Sequence, residues 1–420
     1  MNLLDLPNEI ILTICEYLND KGKLNLTNTC KKLSQFTSLL YYDTEVNIRK
    51  IAELPYKYNF TNIGTWENID PEELTKYKKL KGLHLYGNIN EPRNFKKGDI
   101  PLSIKLLHLG CNFSQNIKDF LPSTITHLYF GNNFDQDIED SIPNTVTHLD
   151  LGWNFNQEIK RSKPFKSFIP SSVKVLKLGC MFNRDIKNCF PNGLESLCLG
   201  GSFNGDIKDS IPNTVTYLKL SNMFNSRIEG CIPESVKHLG FGYEFDQNIC
   251  GCLPSSLTYL HLGVKFNQSI KGALPSSLKH LILSDRFDQE IKGCLPNSLE
   301  YLVFGEDFDQ EIEGNIPYSV THLTFGGKIK REHLKGIPNT VTHLTFNWKF
   351  NEDLEGLIPS SVTHLSLPAS FDKCLNCLPN TITQLTLRKW YDNSIRPDYR
   401  EYEIRRSVPS FIKNVEIIII

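Results

Sequence analysis

A proline returns at a fixed interval through most of this chain. It stands at positions 101, 122, 143, 170, 191, 212, 233, 254, 275, 296, 317, 338, 359 and 379. The interval is 21 residues in all cases but two: six residues are inserted between 143 and 170, and one is missing between 359 and 379. A unit this short carries too few apolar groups to bury a core alone. Only stacking on like neighbours can hide its apolar face, so the period requires a solenoid.

Counted from each proline as zero, the unit has an aliphatic residue at plus three, Leu at plus six and an apolar residue at plus eight. Gly is frequent at plus nine, Phe stands at plus twelve, Asn or Asp at plus thirteen, often Gln at plus fourteen, and Ile or Leu at plus sixteen. The spacing V-x-x-L-x-L is that of a leucine-rich-repeat strand, and Asn133 and Asn154 take the place of that repeat's asparagine. Strand alternation sends plus six and plus eight inward and plus five and plus seven outward. Phe113, Phe134, Phe155, Phe182, Phe203, Phe224, Phe245, Phe266, Phe287, Phe308, Phe350 and Phe371 then form an inner spine, with Ile329 and Tyr391 in the same slot. The return to the next proline is too short for a helix with its turns. The expected fold is therefore a β-rich, leucine-rich-repeat-like solenoid of ~21-residue units, with parallel strands and a non-helical back of extended and 3-10 segments. Gly at plus eighteen (Gly230, Gly251, Gly272, Gly293, Gly314, Gly356) serves the turns. The array is expected over residues 80–420, with a basic insertion at 160–166 and a C-terminal capping strand at 409–420.

The unit L/I-P-x-S-V-x-x-L-x-L-G-x-x-F-N-Q-x-I resembles the FNIP repeat, and the likeness runs over roughly residues 80–420. It implies an origin in social amoebae or in giant viruses that infect amoebae.

Residues 1–40 have a different pattern. Leu6, Ile10, Ile14 and Leu18 form a helical stripe, and Pro7 suits a first helical turn. Forty residues are few for an independent core. The Leu6-Pro7-x-Glu9-Ile10 opening, Tyr17-Leu18 and Cys30-Lys31-Lys32 closely resemble a small all-α F-box, with Leu33 where many F-boxes carry Trp. The resemblance implies that Leu6, Pro7, Ile10, Ile14, Leu18, Cys30 and Lys31 dock a Skp-family adaptor of a cullin–RING ubiquitin ligase. Residues 41–79 read as a helical spacer and N-terminal cap. In it Asp70-Pro71-Glu72-Glu73 opens a helix that runs to about Lys78.

No phosphate loop, H-E-x-x-H, G-x-S-x-G or dinucleotide fingerprint occurs. The chain is thus expected to be a non-catalytic subunit without cofactor or metal. A formal net charge of −1 supplies no field for nucleic acid or anionic membrane. No apolar run is long enough for a transmembrane helix, and the expected location is the cytoplasm, the host's if the source is viral. The 12 cysteines read as reduced thiols.

The outward positions remain. Plus five carries His127, His148, Tyr217, His238, Tyr259, His280, Tyr301, His322, His343 and His364, a broken His/Tyr column. Plus seven is variable and includes Asp150, Lys177, Lys219 and His261. Variation on a constant scaffold is how repeat proteins encode a binding face, so these residues are the expected contacts for a target protein. Stacked parallel imidazoles do not converge on one tetrahedral metal centre. They would repel when protonated, which predicts loosening of the array near pH 5–6. The expected function is substrate recognition in an SCF-type ligase. The alternative is an interaction scaffold that sequesters partners.

Overall fold

The computed structural model describes the chain except residues 1–10, 13, 16–17, 30, 35–36, 38–39, 66–70, 86–94, 160–167, 328, 348, 369, 390–408, 410–411, 413 and 420. It divides into two compact units, residues 1–194 and 195–420.

The first unit opens with helical residues 11–12 and 14–15, where Ile11 and Cys15 are fully buried. Asn19 caps the next helix, Asp20–Thr27, by accepting the Gly22 N–H at 2.8 Å. That helix is tied to the segment leading into the first strand. Lys23 Nζ donates to the Tyr41 carbonyl at 2.7 Å, and the Thr44 N–H donates to the Asp20 carboxylate at 2.5 Å. Burial works against the Asp20 charge, but these hydrogen bonds from Thr44, Asp43 and Lys23 hold its carboxyl below the usual range.

Strands β1 (Val46–Asn47), β2 (Asn62–Thr65), β3 (Gly82–Leu85), β4 (Leu106–His108), β5 (His127–Tyr129), β6 (His148–Asp150) and β7 (Val175–Lys177) follow. Each pairs in parallel with the next. The parallel ladder thus begins at Val46, well ahead of residue 80. No proline marks β1 or β2, so the period hides them. The helix expected from 70 to 78 is shorter, Pro71–Thr75. The Tyr77 N–H turns back to the Leu74 carbonyl at 3.2 Å, which ends the helix and releases the chain toward β3. Leu74 and Tyr77 are buried, and Tyr58 meets the Tyr77 ring edge-on at 5.1 Å.

The second unit repeats the plan in β8 (Ser196–Cys198), β9 (Tyr217–Lys219), β10 (His238–Gly240), β11 (Tyr259–His261), β12 (His280–Ile282) and β13 (Tyr301–Val303). It continues in β14 (His322–Phe325), β15 (His343–Phe346), β16 (His364–Pro368), β17 (Gln384–Lys389) and β18 (Asn414–Ile419). All neighbouring pairs are parallel, with the central leucines opposite one another, as in Leu281↔Leu302 and Leu302↔Leu323. Beyond Gly82 the described residues contain no α-helix. The back is built of hydrogen-bonded turns, with one 3-10 helix, Arg331–Leu334, in the coil where Ile329 replaces Phe.

Within a coil the sequence pattern maps directly onto burial. In the coil starting at Pro275, the core residues are Leu278, Leu281, Leu283, Phe287 and Ile291, each 2% exposed or less. Two turns close the loop. The N–H at plus three donates to the proline carbonyl, as from Leu278 to Pro275 at 3.2 Å, and the N–H at plus nineteen donates to plus sixteen, as from Cys294 to Ile291 at 3.0 Å. The residue between, at plus eighteen, is left-handed: Gly272, Gly293 and Gly314 have φ of 68°, 68° and 69°. Early coils use Asp119, Asp140, Asn188 and Asp209 there, also at positive φ. Those two residue types tolerate that region best after glycine.

The phenylalanines stack as a spine. Rings 245–266 and 266–287 lie 6.1 and 6.4 Å apart, within 7° of parallel, and all three are fully buried. Glycine at plus nine has a steric cause. A Cβ on Gly305 would lie 1.8 Å from the Ser284 carbonyl oxygen of the preceding coil. Where serine occupies this slot, Ser221 and Ser284 are fully buried and donate to the carbonyls of Phe203 and Phe266.

Candidate functional site

The outward face of the strands is assembled by a second set of polar contacts, all running between successive coils. At plus two, a hydroxyl donates to the plus-three carbonyl of the previous coil, as from Ser298 to Leu278 at 2.7 Å and from Ser319 to Leu299 at 2.6 Å. At plus thirteen, the Asn or Asp side chain accepts the plus-thirteen N–H of the following coil. Asp288 Oδ1 takes the Asp309 N–H at 3.0 Å and the Gln310 side-chain amide at 2.8 Å. The same pair of bonds joins Asn267 to Asp288 and Gln289, each at 3.0 Å. This Asx–Gln ladder explains why Phe is followed by N-Q or D-Q. It was visible in the sequence as a fixed pair but reads there only as a turn signal. Asn133 and Asn154 at plus eleven do not fill a buried asparagine slot. Both are exposed, and their amides form a surface ladder with Asn112, at 3.1 Å from Asn133 to Asn112 and 3.4 Å from Asn154 to Asn133.

On this frame the plus-five rings stand outward. In the first unit His127 and His148 stack at 4.1 Å and 12°. In the second, His280–Tyr301, Tyr301–His322, His322–His343 and His343–His364 form an unbroken stack at 4.3, 4.1, 4.2 and 4.2 Å. These distances are shorter than the roughly 4.8 Å between strands, so the rings lean together. Five of the histidines follow a threonine, and the threonine holds them: Thr Oγ1 lies 2.9 Å from Nδ1 of His127, His148, His322 and His343 and 2.8 Å from that of His364. With Nδ1 engaged, Nε2 is the ring nitrogen left for water or a ligand. Burial depresses the basicity of His127, His322 and His343, and the charge of neighbouring histidines depresses it further.

Lys177, Tyr217, Lys219, His238 and Tyr301 are exposed on their strands. His127, His148, Asp150, Tyr259, His261, His280, His322, His343 and His364 are half-buried. Asp150 accepts from Lys177 Nζ at 2.8 Å and from the Gly152 N–H at 3.0 Å, so its carboxylate is already engaged within its own unit. His261 beside Lys219 is held below the ordinary histidine range, by burial first and then by that charge. The described residues contain no cluster of three or more metal-ligating side chains. Cys189, Cys231 and Cys294 fill a buried small-residue slot at plus nineteen, and burial pushes the Cys231 and Cys294 thiols up.

Of the N-terminal residues expected to dock an adaptor, Leu6, Pro7, Ile10 and Cys30 lie outside the described residues. Lys31 begins the helix Lys31–Ser34. Ile14 and Leu18 are half-exposed, while their neighbours Ile11 and Cys15 are fully buried.

The FNIP Repeat family matches nine overlapping or adjoining segments between residues 90 and 390, most spanning about two coils: 90–133, 134–181, 182–223, 224–265, 247–286, 266–307, 287–328, 330–370 and 350–390. The chain belongs to the FNIP repeat family. A curated relative is the F-box and FNIP repeat-containing protein L414 of Acanthamoeba polyphaga mimivirus, 34% identical over 73 residues. That stretch is 17% of this chain and 14% of the mimivirus protein. Among solved structures the chain is similar to CroV588, described as a circular LRR protein. The identity is 32% and the TM-score 0.65, and the match covers 86% of this chain and 60% of that one. Repeats and relative together group the chain with F-box/FNIP-repeat proteins of giant-virus type.

Proposed function

We propose that this FNIP-repeat protein is a non-catalytic substrate-recognition subunit of an SCF-type cullin–RING ubiquitin ligase in the cytoplasm, the host's if the source is viral. Its N-terminal segment docks a Skp-family adaptor, and its strand face holds a target protein. The observation that carries the reading is a pair of apolar side chains near the N-terminus that the fold covers only in part. Ile14, in the first helical segment, and Leu18, in the bend before Asn19, stay partly exposed, whereas Ile11 and Cys15 are fully buried. Both belong to the apolar stripe that the F-box resemblance assigns to adaptor docking, and their partial exposure leaves them accessible to a partner. The F-box in the mimivirus relative's name supports the same reading. The N-terminal helix is pinned to the start of the ladder through Asp20 and Lys23. The chain would therefore act by fixing geometry and raising effective concentration, with no group transfer of its own.

The test is co-purification of the full chain with a Skp-type adaptor and cullin, set against a Leu6→Ala/Pro7→Ala variant. Capture by the wild type and loss in the variant are expected. Failure of the wild type to capture the adaptor sinks the proposal. Capture without ubiquitin transfer to any target favours a sequestering scaffold instead.

A further inference from the structure

The strand face of the second unit has a one-sided set of charged and titratable groups. Across β8 to β17 the outward positions five and seven carry no carboxylate. They carry Lys219, six histidines (His238, His261, His280, His322, His343 and His364), three tyrosines and hydroxyls at Thr324, Thr345 and Thr386, with Ile282 and Val303 in the same column and Ser366 buried. The carboxylates that border the face are engaged. Glu300 accepts from Lys279 at 2.9 Å, Glu244 pairs with Lys265 at 2.7 Å, and Glu306 with Lys349 at 3.0 Å. Glu416 on β18 accepts from Gln384 at 3.4 Å. Asp285, beside Glu306 and Asp307, is pushed toward its neutral form by burial and by those two carboxylates. The surface is thus lined by donors and protonatable rings, with its negative groups tied down at the rim.

We infer that this face binds an acidic peptide segment of a partner protein, its carboxylates meeting Lys219 and the outer nitrogens of the stacked histidines. The inference rests on the reading of the repeats as a target-binding surface, but not on adaptor docking. Charge complementarity selects acidic over basic segments. Because the ring Nδ1 atoms of His322, His343 and His364 are held by Thr321, Thr342 and Thr363, a proton added at Nε2 points at the ligand. Binding then takes up protons and tightens as pH falls.

The experiment uses the full chain without adaptor and fluorescein-labelled decaglutamate and decalysine peptides, read by fluorescence anisotropy at pH 7.5 and 6.0. Decaglutamate is expected to bind roughly tenfold more tightly at pH 6.0 and to weaken with added salt, while decalysine does not bind. Lys219→Gln/His322→Gln/His343→Gln/His364→Gln should abolish the gain on acidification. Lys271→Gln/Lys292→Gln, on the back turns, should leave it intact. Circular dichroism at both pH values establishes that each variant is folded. If the quadruple variant is not, His343→Gln alone should still reduce the gain. No decaglutamate binding at pH 6.0, equal binding of decalysine, or equal loss in the back-turn variant overturns the inference.

Discussion

Two columns of rings run through the same coils, and they obey different rules. The phenylalanines at plus twelve are buried, nearly parallel and 6.1–6.4 Å apart through residues 245, 266, 287 and 308. The rings at plus five lie half in water, press to 4.1–4.3 Å from His280 to His364, and vary between His and Tyr. The first column must fill a fixed volume, so it is nearly all Phe, and where Ile329 takes the slot the coil reorganises its back into a 3-10 helix. The second must only be flat and hold a polar edge outward, so its identity can drift with what it touches. One column is buried in the coil and the other stands on its outward face.

Breaking the buried column should have the largest effect. Phe266→Ala is expected to cost about 3–5 kcal/mol by denaturant unfolding. Tyr301→Ala, in the exposed column, should cost well under half of that. Asp288→Ala removes the acceptor for the Asp309 N–H and the Gln310 amide and should cost about 1–3 kcal/mol by the same measurement. A loss equal to that of Phe266→Ala would mean that hydrogen bonding, and not burial, dominates coil stacking. Gly272→Ala places a Cβ in open space but at φ of 68°. The strain alone should cost about 1 kcal/mol. The exposed column should show itself through pH. His322 and His343 titrate below the ordinary histidine value, so the unfolded chain takes up the proton first. Their contribution is complete above that value, near 6.5, and is lost as pH falls through and below it. The melting temperature should therefore drop by a few degrees between pH 7.5 and 5.5, and less in His322→Gln/His343→Gln. A flat profile would remove the electrostatic cost from the stack.

Much of this was legible in the sequence, because a proline-marked period and two-residue parity are both strong local signals. They locate Leu281, Phe287 and the outward His280 without ambiguity. Strands β1 and β2 escaped because Val46 and Asn62 lie where no proline marks the coil. The Asx–Gln ladder escaped because its partners, Asp288 and Gln310, are 22 residues apart. Asn133 and Asn154 misled because the same letter serves a buried turn in one repeat class and a surface amide in this one. The period places Asp150 and Lys177 at plus seven of adjoining coils, but that they form an ion pair across the insertion follows only from their side-chain geometry.

The ladder contacts also have a direction. Asp288 accepts from the coil that follows it, and Ser319 donates to the carbonyl of the coil that precedes it. A finished coil therefore already displays the acceptors that its successor requires. Chains emerge from the ribosome N-terminus first. Each new 21-residue length can settle on a completed template as it appears, so that the order of synthesis and the order of assembly coincide.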